Sequence, residues 1–468
     1  MKRREKLRHD LHTIFQAALK AVDPAEAIHT HVRRAGNQLY VADRIYDLRQ
    51  YDALSVIGVG KAGAAMAIAV EALLGDRLHG GHVIVKYGHG APVKHVTVHE
   101  AGHPIPDEAG VRATRTLIDF ATGRGPRELL ICLISGGGSA LSPAPVEGIT
   151  LAEKQEVTRV LLACGATIHE INALRKHISG VKGGQLARLA SPATLITLVL
   201  SDVVGDSLDV IASGPTVPDT STFADCLEIL RKYQLLDQVP TTIRRHLEAG
   251  VSGAVPETPK PGDEVFTRTQ TVIIGRNLQA LEAASREATT LGYQSLILSS
   301  AIEGETREVA KVHAGIAREV LASGHPIAAP ACILSGGETT VTLRGQGKGG
   351  RNQEFALALA LDIHNIPGIA TLSGGTDGTD GPTDAAGAVA DWTTCTRAEL
   401  HGFHPREALE HNDAYPFFER LGDLLITGPT QTNVMDVRIM LLMPGLSPYP
   451  TLSNALRGKF DQGSRRVR

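Results

Sequence analysis

Aromatic residues are scarce in this chain, and neither sign of charge is in large excess. Phe, Trp and Tyr make up 4% of the 468 residues, and the formal net charge is −3 at pH 7. Proteins that bind single-stranded nucleic acid stack bases on aromatic rings. Binding to duplexes or to anionic membranes needs strongly basic segments. The composition therefore argues against nucleic acid and membrane surfaces as partners.

Cysteine and long apolar segments are also scarce. The five cysteines include no CxxC pair, and Cys132 and Cys332 lie inside apolar segments, as reduced core residues do. No segment has the length and purity of a membrane-spanning helix. The first residues, MKRREKLRHDLHTIFQAALKAVDP, predict an amphipathic helix that ends near Pro24 rather than a signal peptide. We therefore expect a cytoplasmic protein.

What the sequence does contain is a set of apolar runs that each end in a turn of small residues. They are LSVIGVGKAG (54–63), LLICLISGGGSA (129–140), LITLVLSDVVGD (195–206), TVIIGRN (271–277), ACILSGGETT (331–340) and IATLSGGTDG (369–378). Such runs predict buried parallel strands, each followed by a loop and a helix. Open α/β sheets bind ligands at these strand ends, and glycine turns leave backbone N–H groups accessible to an anion. The pattern favours an enzyme acting on phosphorylated substrates.

The length and the order of these segments predict two α/β domains. The chain is longer than one hydrophobic core usually supports, and strand-like and helix-like segments alternate as in a doubly wound fold. A segment rich in Pro and Gly, 250–263, predicts a linker. The expected organisation is a Rossmann-like domain over 1–249, the linker 250–263, a smaller α/β domain over 264–445 and a tail over 446–468.

The first glycine turn, GVGKAG (58–63), has the G-x-G-x-x-G spacing of dinucleotide-binding sites. Those sites need an acidic residue at the end of the next strand, where this chain has Lys86 and Tyr87. The difference disfavours a nicotinamide cofactor. Lys61 is better explained as a cation beside a phosphoryl group, because a lysine at a helix start opposes the helix dipole when no anion is bound. A solvated surface lysine is the alternative.

Two acidic segments are candidates for holding a divalent cation or accepting a proton. LSDVVGD (200–206) places Asp202 at a strand end and Asp206 four residues later. Carboxylates there can hold Mg²⁺, take a proton from a hydroxyl or cap a helix. TDGTDGPTDAAGA (376–388) repeats aspartate but lacks the glutamate of a calcium-binding loop. We interpret it as a loop facing Mg²⁺ or substrate, with Asp377 as a ligand.

The densest signal lies in SGGETTVTLRGQGKGGRNQEFAL (335–357). A hairpin-like strand, TTVTLRG, is predicted to lead into a glycine-rich loop that carries Lys348 and Arg351, and a helix is predicted to begin at Asn352. An arginine fork at a helix start, flanked by glycines, suits a phosphate or a carboxylate.

A set of long motifs, taken in order, resembles one family. The motifs are GVGKAG, AGHPIPDEAG (101–110), SGGGSAL (135–141), INALRKHISGVKGGQLA (171–187), LSDVVGDSLDVIASGPTVPD (200–219), SGGETTVTLRGQGKGGRNQE, TDGTDGPTDAAGA and TGPTQTNVMDVRIML (427–441). Over roughly residues 8–445 the chain resembles the ATP-dependent glycerate 2-kinases whose C-terminal part is the MOFRL domain. The resemblance implies a Rossmann-like N-terminal domain and a smaller C-terminal α/β domain, with the active site in the cleft between them.

The resemblance also implies an activity and catalytic residues. ATP would phosphorylate the 2-hydroxyl of D-glycerate to give 2-phospho-D-glycerate, with Lys61 and Arg351 as catalytic residues, and we add Asp202 from its motif. Relatives have been named hydroxypyruvate reductases, so an NAD(P)H-dependent reductase is one alternative, and a non-catalytic sugar-phosphate-binding protein is another. ATP and Mg²⁺, or another divalent cation, are the expected cofactors. The partners are small molecules, and a homodimer is left open.

The remaining candidate site residues form three groups. The expected phosphate- or nucleotide-binding residues are Gly58, Gly60, Ser135, Gly136, Gly137, Gly138, Ser139, Gly336, Gly337, Lys348 and Gly350. The expected substrate-binding residues are Arg175, Lys176 and Asn352, and the expected metal ligands are Asp206 and Asp377.

Overall fold

The structure, a computed structural model, describes residues 2–444 and consists of two compact units. The parallel-sheet unit comprises Pro24–Arg276, and the mixed-sheet unit comprises residues 2–23 together with 277–444. The predicted tail, 446–468, lies outside the described residues. No helix within residues 2–444 combines the length and the apolar character needed to cross a membrane.

Strands and helices alternate along both units. The strands are β1 (Val32–Ala35), β2 (Gln38–Val41), β3 (Arg44–Asp47), β4 (Ala53–Val59), β5 (Leu78–Lys86), β6 (Val96–Ala101), β7 (Glu128–Ile134), β8 (Thr194–Leu200), β9 (Thr269–Gly275), β10 (Gln294–Ile302), β11 (Ala331–Gly337), β12 (Ile369–Gly375), β13 (Gly387–Asp391), β14 (Leu424–Leu425) and β15 (Asp436–Leu442). The helices are α1 (Lys2–Ala21), α2 (Pro24–His31), α3 (Gly63–Leu74), α4 (Glu108–Ala121), α5 (Gly138–Leu141), α6 (Leu151–Ala163), α7 (Ile168–His177), α8 (Gln185–Ala190), α9 (Phe223–Lys232), α10 (Thr241–Val251), α11 (Asn277–Thr290), α12 (Thr306–Ser323), α13 (Arg351–Asp362), α14 (Thr394–Leu400), α15 (Pro405–Glu410) and α16 (Ala414–Leu421).

The main sheet of the parallel-sheet unit has the order β6-β5-β4-β7-β8-β9, and every neighbouring pair is parallel. The chain starts at the centre with β4, moves outward through β5 and β6, and continues on the other side of β4 with β7. This is the doubly wound order, in which the reversal between β4 and β7 opens a ligand site at the carboxyl ends of the strands. The predicted Rossmann-like architecture is confirmed. A separate antiparallel sheet, β1-β2-β3, completes the unit.

The sheet of the mixed-sheet unit has the order β10-β11-β15-β12-β13-β14, and only β10 and β11 pair in parallel. The prediction that every apolar run is a parallel strand is therefore wrong for β12, which is antiparallel to both of its neighbours. An uninterrupted apolar run reports that both faces of a strand are buried. It does not report the direction of the neighbouring strand, which here is β15 from the far end of the chain.

The boundary between the units differs from the predicted one in two ways. Helix α1 belongs to the mixed-sheet unit, where Leu11 and Phe15 are part of the core. The predicted linker, 250–263, lies inside the parallel-sheet unit, where Thr258 Oγ1 donates to Asp219 Oδ2 at 3.0 Å. Strand β9 forms one edge of the parallel sheet and still belongs to this unit. The boundary in the sequence therefore follows residue 276. Proline and glycine indicate irregular backbone but not a linker. Here the irregular segment packs within the parallel-sheet unit.

The segment 339–345 is a loop rather than the predicted hairpin-like strand. Thr340 makes one isolated bridge with Glu305, and the backbone N–H groups of Arg344 and Gly345 donate to Asn412 Oδ1 at 2.7 and 3.0 Å. A side chain thus accepts hydrogen bonds that a neighbouring strand would otherwise accept. The cysteine prediction is confirmed, since all five cysteines are free thiols and Cys132 and Cys332 are buried.

Candidate functional site

Two glycine-rich turns flank the reversal point of the parallel sheet. The lysine turn, residues 60–63, follows β4, and the serine turn, residues 135–139, follows β7. Because β4 and β7 are parallel neighbours in the sheet, both turns lie at the same edge. Lys61, at the start of α3, is half-buried.

Hydrogen bonds join these two turns. The Lys61 N–H donates to the Gly136 carbonyl at 2.8 Å, and the Ala62 N–H donates to Ser135 Oγ at 3.0 Å. Gly60 has a φ of +134°, and a Cβ at this position would lie 2.2 Å from Ser135 Oγ. Glycine is therefore required at residue 60, because any side chain would separate the turns.

The serine turn exposes backbone donors. Gly137 adopts the left-handed conformation, with φ of +83°. Within residues 2–444, the N–H groups of Gly136 and Gly137 have no hydrogen-bond acceptor. Successive N–H groups in such a turn form a concave anion-binding site. Ser139 Oγ lies 3.0 Å from Ser213 Oγ, which holds the turn from the other side.

The other predicted glycines of this unit have packing reasons. A Cβ on Gly58 would lie 2.8 Å from the Leu133 carbonyl oxygen, and a Cβ on Gly138 would lie 2.9 Å from Ala212 Cβ. These glycines let the strand ends and the serine turn pack closely. Their predicted contact with phosphate is not tested by this geometry and stays a prediction.

The two aspartates after β8 do not cap a helix. Asp202 is half-buried, and Asp206 has a φ of +55° with Oδ2 3.8 Å from Arg276 Nη1. The short 3₁₀ turn at residues 204–206 begins after Val203, without a side-chain cap. A left-handed non-glycine residue is strained, and such residues concentrate at functional sites. Within residues 2–444, however, no group of three or more His, Cys, Asp or Glu side chains is arranged to hold a metal ion.

The neighbouring residues Arg175 and Lys176 have opposite environments. Lys176 is buried, and its Nζ lies 3.1 Å from Asp219 Oδ1 and 3.4 Å from Asp209 Oδ2. This pairing neutralises the charge of Lys176 in the described structure, and its predicted contact with the substrate stays a prediction. Arg175 is half-buried and has no carboxylate partner within residues 2–444.

In the mixed-sheet unit, Arg351 begins α13 and faces two carboxylates. Its Nε and Nη2 donate to Asp436 at 2.7 and 3.0 Å, and its Nη1 lies 2.7 Å from Glu338 Oε1. Burial opposes the charge, but the carboxylates of Asp436 and Glu338 outweigh it and raise the pKa of Arg351. The guanidinium is therefore permanently charged and held in a fixed orientation.

Asp436 is the main residue that the sequence analysis missed. It is fully buried at the start of β15, and it also accepts hydrogen bonds from Asn352 Nδ2 at 2.8 Å and Arg438 Nη2 at 3.2 Å. Arg438 is itself 1% exposed. The available signal was an aspartate and an arginine in the otherwise apolar strand DVRIMLL, since buried charges in a strand need partners.

Asp380 holds the start of α13. Its carboxylate accepts the N–H groups of Asn352 at 3.0 Å and Gln353 at 2.8 Å, as an N-cap side chain does. Burial raises the pKa of Asp380 to about 7, against the effect of these N–H groups, which lower it. The Asn352 side chain is buried and makes hydrogen bonds with Asp436, Asp380 and Ser373. Its predicted contact with the substrate stays a prediction.

The remaining glycines predicted to bind phosphate in this unit have close neighbours. A Cβ on Gly336 would lie 1.8 Å from Asn277 Oδ1, and one on Gly337 would lie 2.4 Å from the Ile302 nitrogen. A Cβ on Gly350 would lie 2.3 Å from the Cγ of Asp380. Tight packing within the unit accounts for glycine at all three positions, and their predicted contact with phosphate stays a prediction.

Lys348 and Asp377 lie on loops of the mixed-sheet unit. Lys348 is exposed, with Nζ 4.0 Å from the centre of the Tyr415 ring. Asp377 is half-buried, and its Oδ1 accepts the Thr379 N–H and hydroxyl at 3.1 Å each. Their predicted roles in nucleotide and metal binding stay predictions.

Comparisons with known proteins cover both units. Residues 10–248 match a family described as a domain of unknown function (DUF4147), and residues 331–436 match the MOFRL family. A Pyrococcus horikoshii glycerate 2-kinase is 40% identical over 91% of this chain and 95% of its own length. An Agrobacterium vitis protein named as a hydroxypyruvate reductase is 43% identical over 93% of this chain and 94% of its own length.

The fold also matches a solved structure. The crystal structure of a Thermotoga maritima glycerate kinase has a TM-score of 0.83 to this chain, with 38% sequence identity. The match covers 94% of this chain and 100% of that one. At this identity and coverage, the similarity extends to the whole architecture of both units.

Proposed function

The chain belongs to the MOFRL-domain family of glycerate 2-kinases, and from that membership we propose that it transfers the γ-phosphoryl group of ATP to the 2-hydroxyl of D-glycerate. The product is 2-phospho-D-glycerate. The observation that carries this function is the pair of joined glycine turns at the reversal point, with Lys61 on one turn and the N–H groups of Gly136 and Gly137 on the other.

These two turns would act on the phosphates. Phosphoryl transfer involves little covalent chemistry with the protein, so catalysis depends on positioning and on stabilising charge. The N–H groups of the serine turn would bind phosphate oxygens, while the flexible ammonium of Lys61 would follow the phosphoryl group as it moves. Asp202 would either accept the 2-hydroxyl proton or help to hold the cation that accompanies ATP.

Arg351 would supply a second cation. Two of its nitrogens are held by the buried Asp436, while the third faces Glu338, whose side chain is 44% exposed. A phosphate or carboxylate oxygen of a ligand would replace Glu338 without disturbing Asp436. In this proposal Asp436 is a positioning residue, because it fixes the direction of the guanidinium.

ATP would be used together with Mg²⁺, which neutralises the charge of the phosphates. Magnesium keeps several waters and takes only one or two protein carboxylates beside phosphate oxygens. The candidate carboxylates are Asp202 and Asp206 in the parallel-sheet unit and Asp377 in the mixed-sheet unit. A shared active site for the two units, a homodimer and a cytoplasmic location remain predictions.

A coupled assay of ADP release with D-glycerate and Mg²⁺ tests the proposal. We expect ADP formation that depends on D-glycerate, with 2-phospho-D-glycerate identified by ³¹P NMR. Absence of turnover, with binding of both ligands intact, would support a sugar-phosphate-binding protein instead.

The reductase alternative has its own measurement. Two Agrobacterium vitis relatives carry that name, but in this chain β5 ends at Lys86 and is followed by Tyr87. The carboxylate that would bind the ribose of a nicotinamide cofactor is therefore missing at the expected place. We expect no oxidation of NADH or NADPH with hydroxypyruvate, and a measurable rate would require the function to be revised.

A further inference from the structure

Three basic side chains of the parallel-sheet unit affect one another's charge, and one of them contacts the serine turn. They are Lys154 on α6, Arg175 on α7 and Lys182 in the following loop. Lys182 is 1% exposed, and its Nζ donates to the carbonyl oxygens of Ser139 at 2.9 Å and Ser142 at 3.3 Å. The cluster is thus connected directly to the turn that would bind phosphate.

Lys154 is the most unusual member of this cluster. Its side chain is 6% exposed, and its Nζ has no hydrogen-bond partner among the described residues. Burying a cation without a partner is costly, and proteins normally pair or neutralise such a group. Lys176, the residue after Arg175, follows that rule, since Asp219 and Asp209 neutralise it.

Among the residues that the structure describes, no carboxylate pairs with Lys154, Arg175 or Lys182. Burial, and then the charge of Arg175, lower the pKa of Lys154 to about 7. The pKa of Lys182 lies well below its usual range, mainly because of burial and secondly because of the charges of Lys154 and Arg175. Burial alone lowers the pKa of Arg175. No carboxylate within residues 2–444 contributes to any of the three shifts, so a bound anion would favour the charged forms of these side chains.

We propose that Lys154, Arg175 and Lys182 form an anion subsite that binds the carboxylate of the acceptor hydroxy acid. The proposal rests on the proposed function, which requires the enzyme to hold an acid beside the phosphates. The phosphates already have Lys61 and the glycine N–H groups as candidate partners. For the substrate carboxylate, Lys176 is already paired with aspartates, and the other candidate partner, Arg351, belongs to the mixed-sheet unit. Buried amines also suit a small anion that loses its water on binding.

The variant Lys154→Met tests the assignment, because methionine keeps the length of the side chain and removes its charge. We expect the KM for D-glycerate to rise about tenfold or more, while the KM for ATP and kcat change less than about threefold. The melting temperature of the ligand-free variant should not fall, because an unpartnered buried cation is removed. Lys232→Met is the matched control, since Lys232 lies in the same unit, is exposed and pairs with Glu170.

Thermal-shift measurements provide a readout that does not depend on turnover. D-glycerate should stabilise the wild type and the control but not Lys154→Met, whereas ADP should stabilise all three. If Lys154→Met does not fold, the half-buried Arg175→Met replaces it, with the same expected change in the KM for D-glycerate. A wild-type enzyme without glycerate kinase activity refutes the proposed function itself.

Two results overturn the subsite while leaving the kinase function intact. If the wild type phosphorylates D-glycerate and Lys154→Met instead raises the KM for ATP, the cluster binds phosphate rather than carboxylate. If neither KM changes, and D-glycerate stabilises the variant as it does the wild type, the cluster binds no substrate.

Discussion

Replacing Asp436 with asparagine tests how Arg351 is held in place. The buried carboxylate accepts two hydrogen bonds on each oxygen: Oδ2 accepts from Arg351 Nε and Arg438 Nη2, and Oδ1 accepts from Arg351 Nη2 and Asn352 Nδ2. The amide NH₂ of asparagine is a donor. In either orientation of the amide, one bond from Arg351 and one from a second donor are therefore lost.

The magnitude follows from these contacts. A hydrogen bond to a charged group contributes about 1.5–3 kcal/mol, so two lost bonds correspond to about 3–6 kcal/mol. The Arg351 side chain is 33% exposed, and water therefore weakens the contribution of its hydrogen bond to Asp436. We expect the free energy of unfolding to fall by about 3 kcal/mol. If Arg351 acts on the transferring group, its misplacement should also lower kcat on the order of 100-fold.

Urea denaturation measures the free energy of unfolding, and the ADP-release assay measures kcat under conditions where the variant remains folded. The control is Asp423→Asn in the same unit. Asp423 is a buried carboxylate that pairs with Arg8 and Arg397 and contacts none of the candidate site residues. Both variants should lose stability, but only Asp436→Asn should lose kcat. A wild-type kcat in Asp436→Asn would refute the role of Asp436 in positioning Arg351.

Three further substitutions have distinct readouts. Lys61→Ala should lower kcat about 100-fold or more with little change in KM, because the cation acts in the transition state; near wild-type kinetics would make Lys61 a surface residue. Asp202→Asn should abolish turnover while leaving the circular dichroism spectrum and melting temperature unchanged, and full activity at ordinary Mg²⁺ concentrations would contradict this. The folded pKa of Asp380 is raised from 3.8 to about 7, so its contribution to stability is full below the unfolded value and is lost as pH rises through the folded one. As the pH is raised from about 5 to about 8, the melting temperature should therefore fall less in Asp380→Asn than in the wild type. An equal fall in both proteins would refute the reasoning.

Local sequence determined much of the parallel-sheet unit. The apolar runs at 54–59 and 129–134 became β4 and β7, and the helix predicted to follow the first of these runs is α3. The lysine and serine turns could also be predicted from local sequence, because strand ends and glycine positions are properties of short segments. A buried strand needs apolar residues on both faces, and a turn with positive φ needs glycine, whatever the rest of the chain does.

The partners of charged residues were decided only by the tertiary structure. Arg351 and Asp436 are 85 residues apart in sequence, and no local pattern joins them. The same holds for Lys176 with Asp219 and for α1 with the core of the mixed-sheet unit. It also holds for Lys154, whose Nζ has no hydrogen-bond partner within the described part of the chain. A hydrophobic pattern reports that a residue is buried, but the energy of a buried charge depends on which distant group lies against it. That group is known only once the chain has folded.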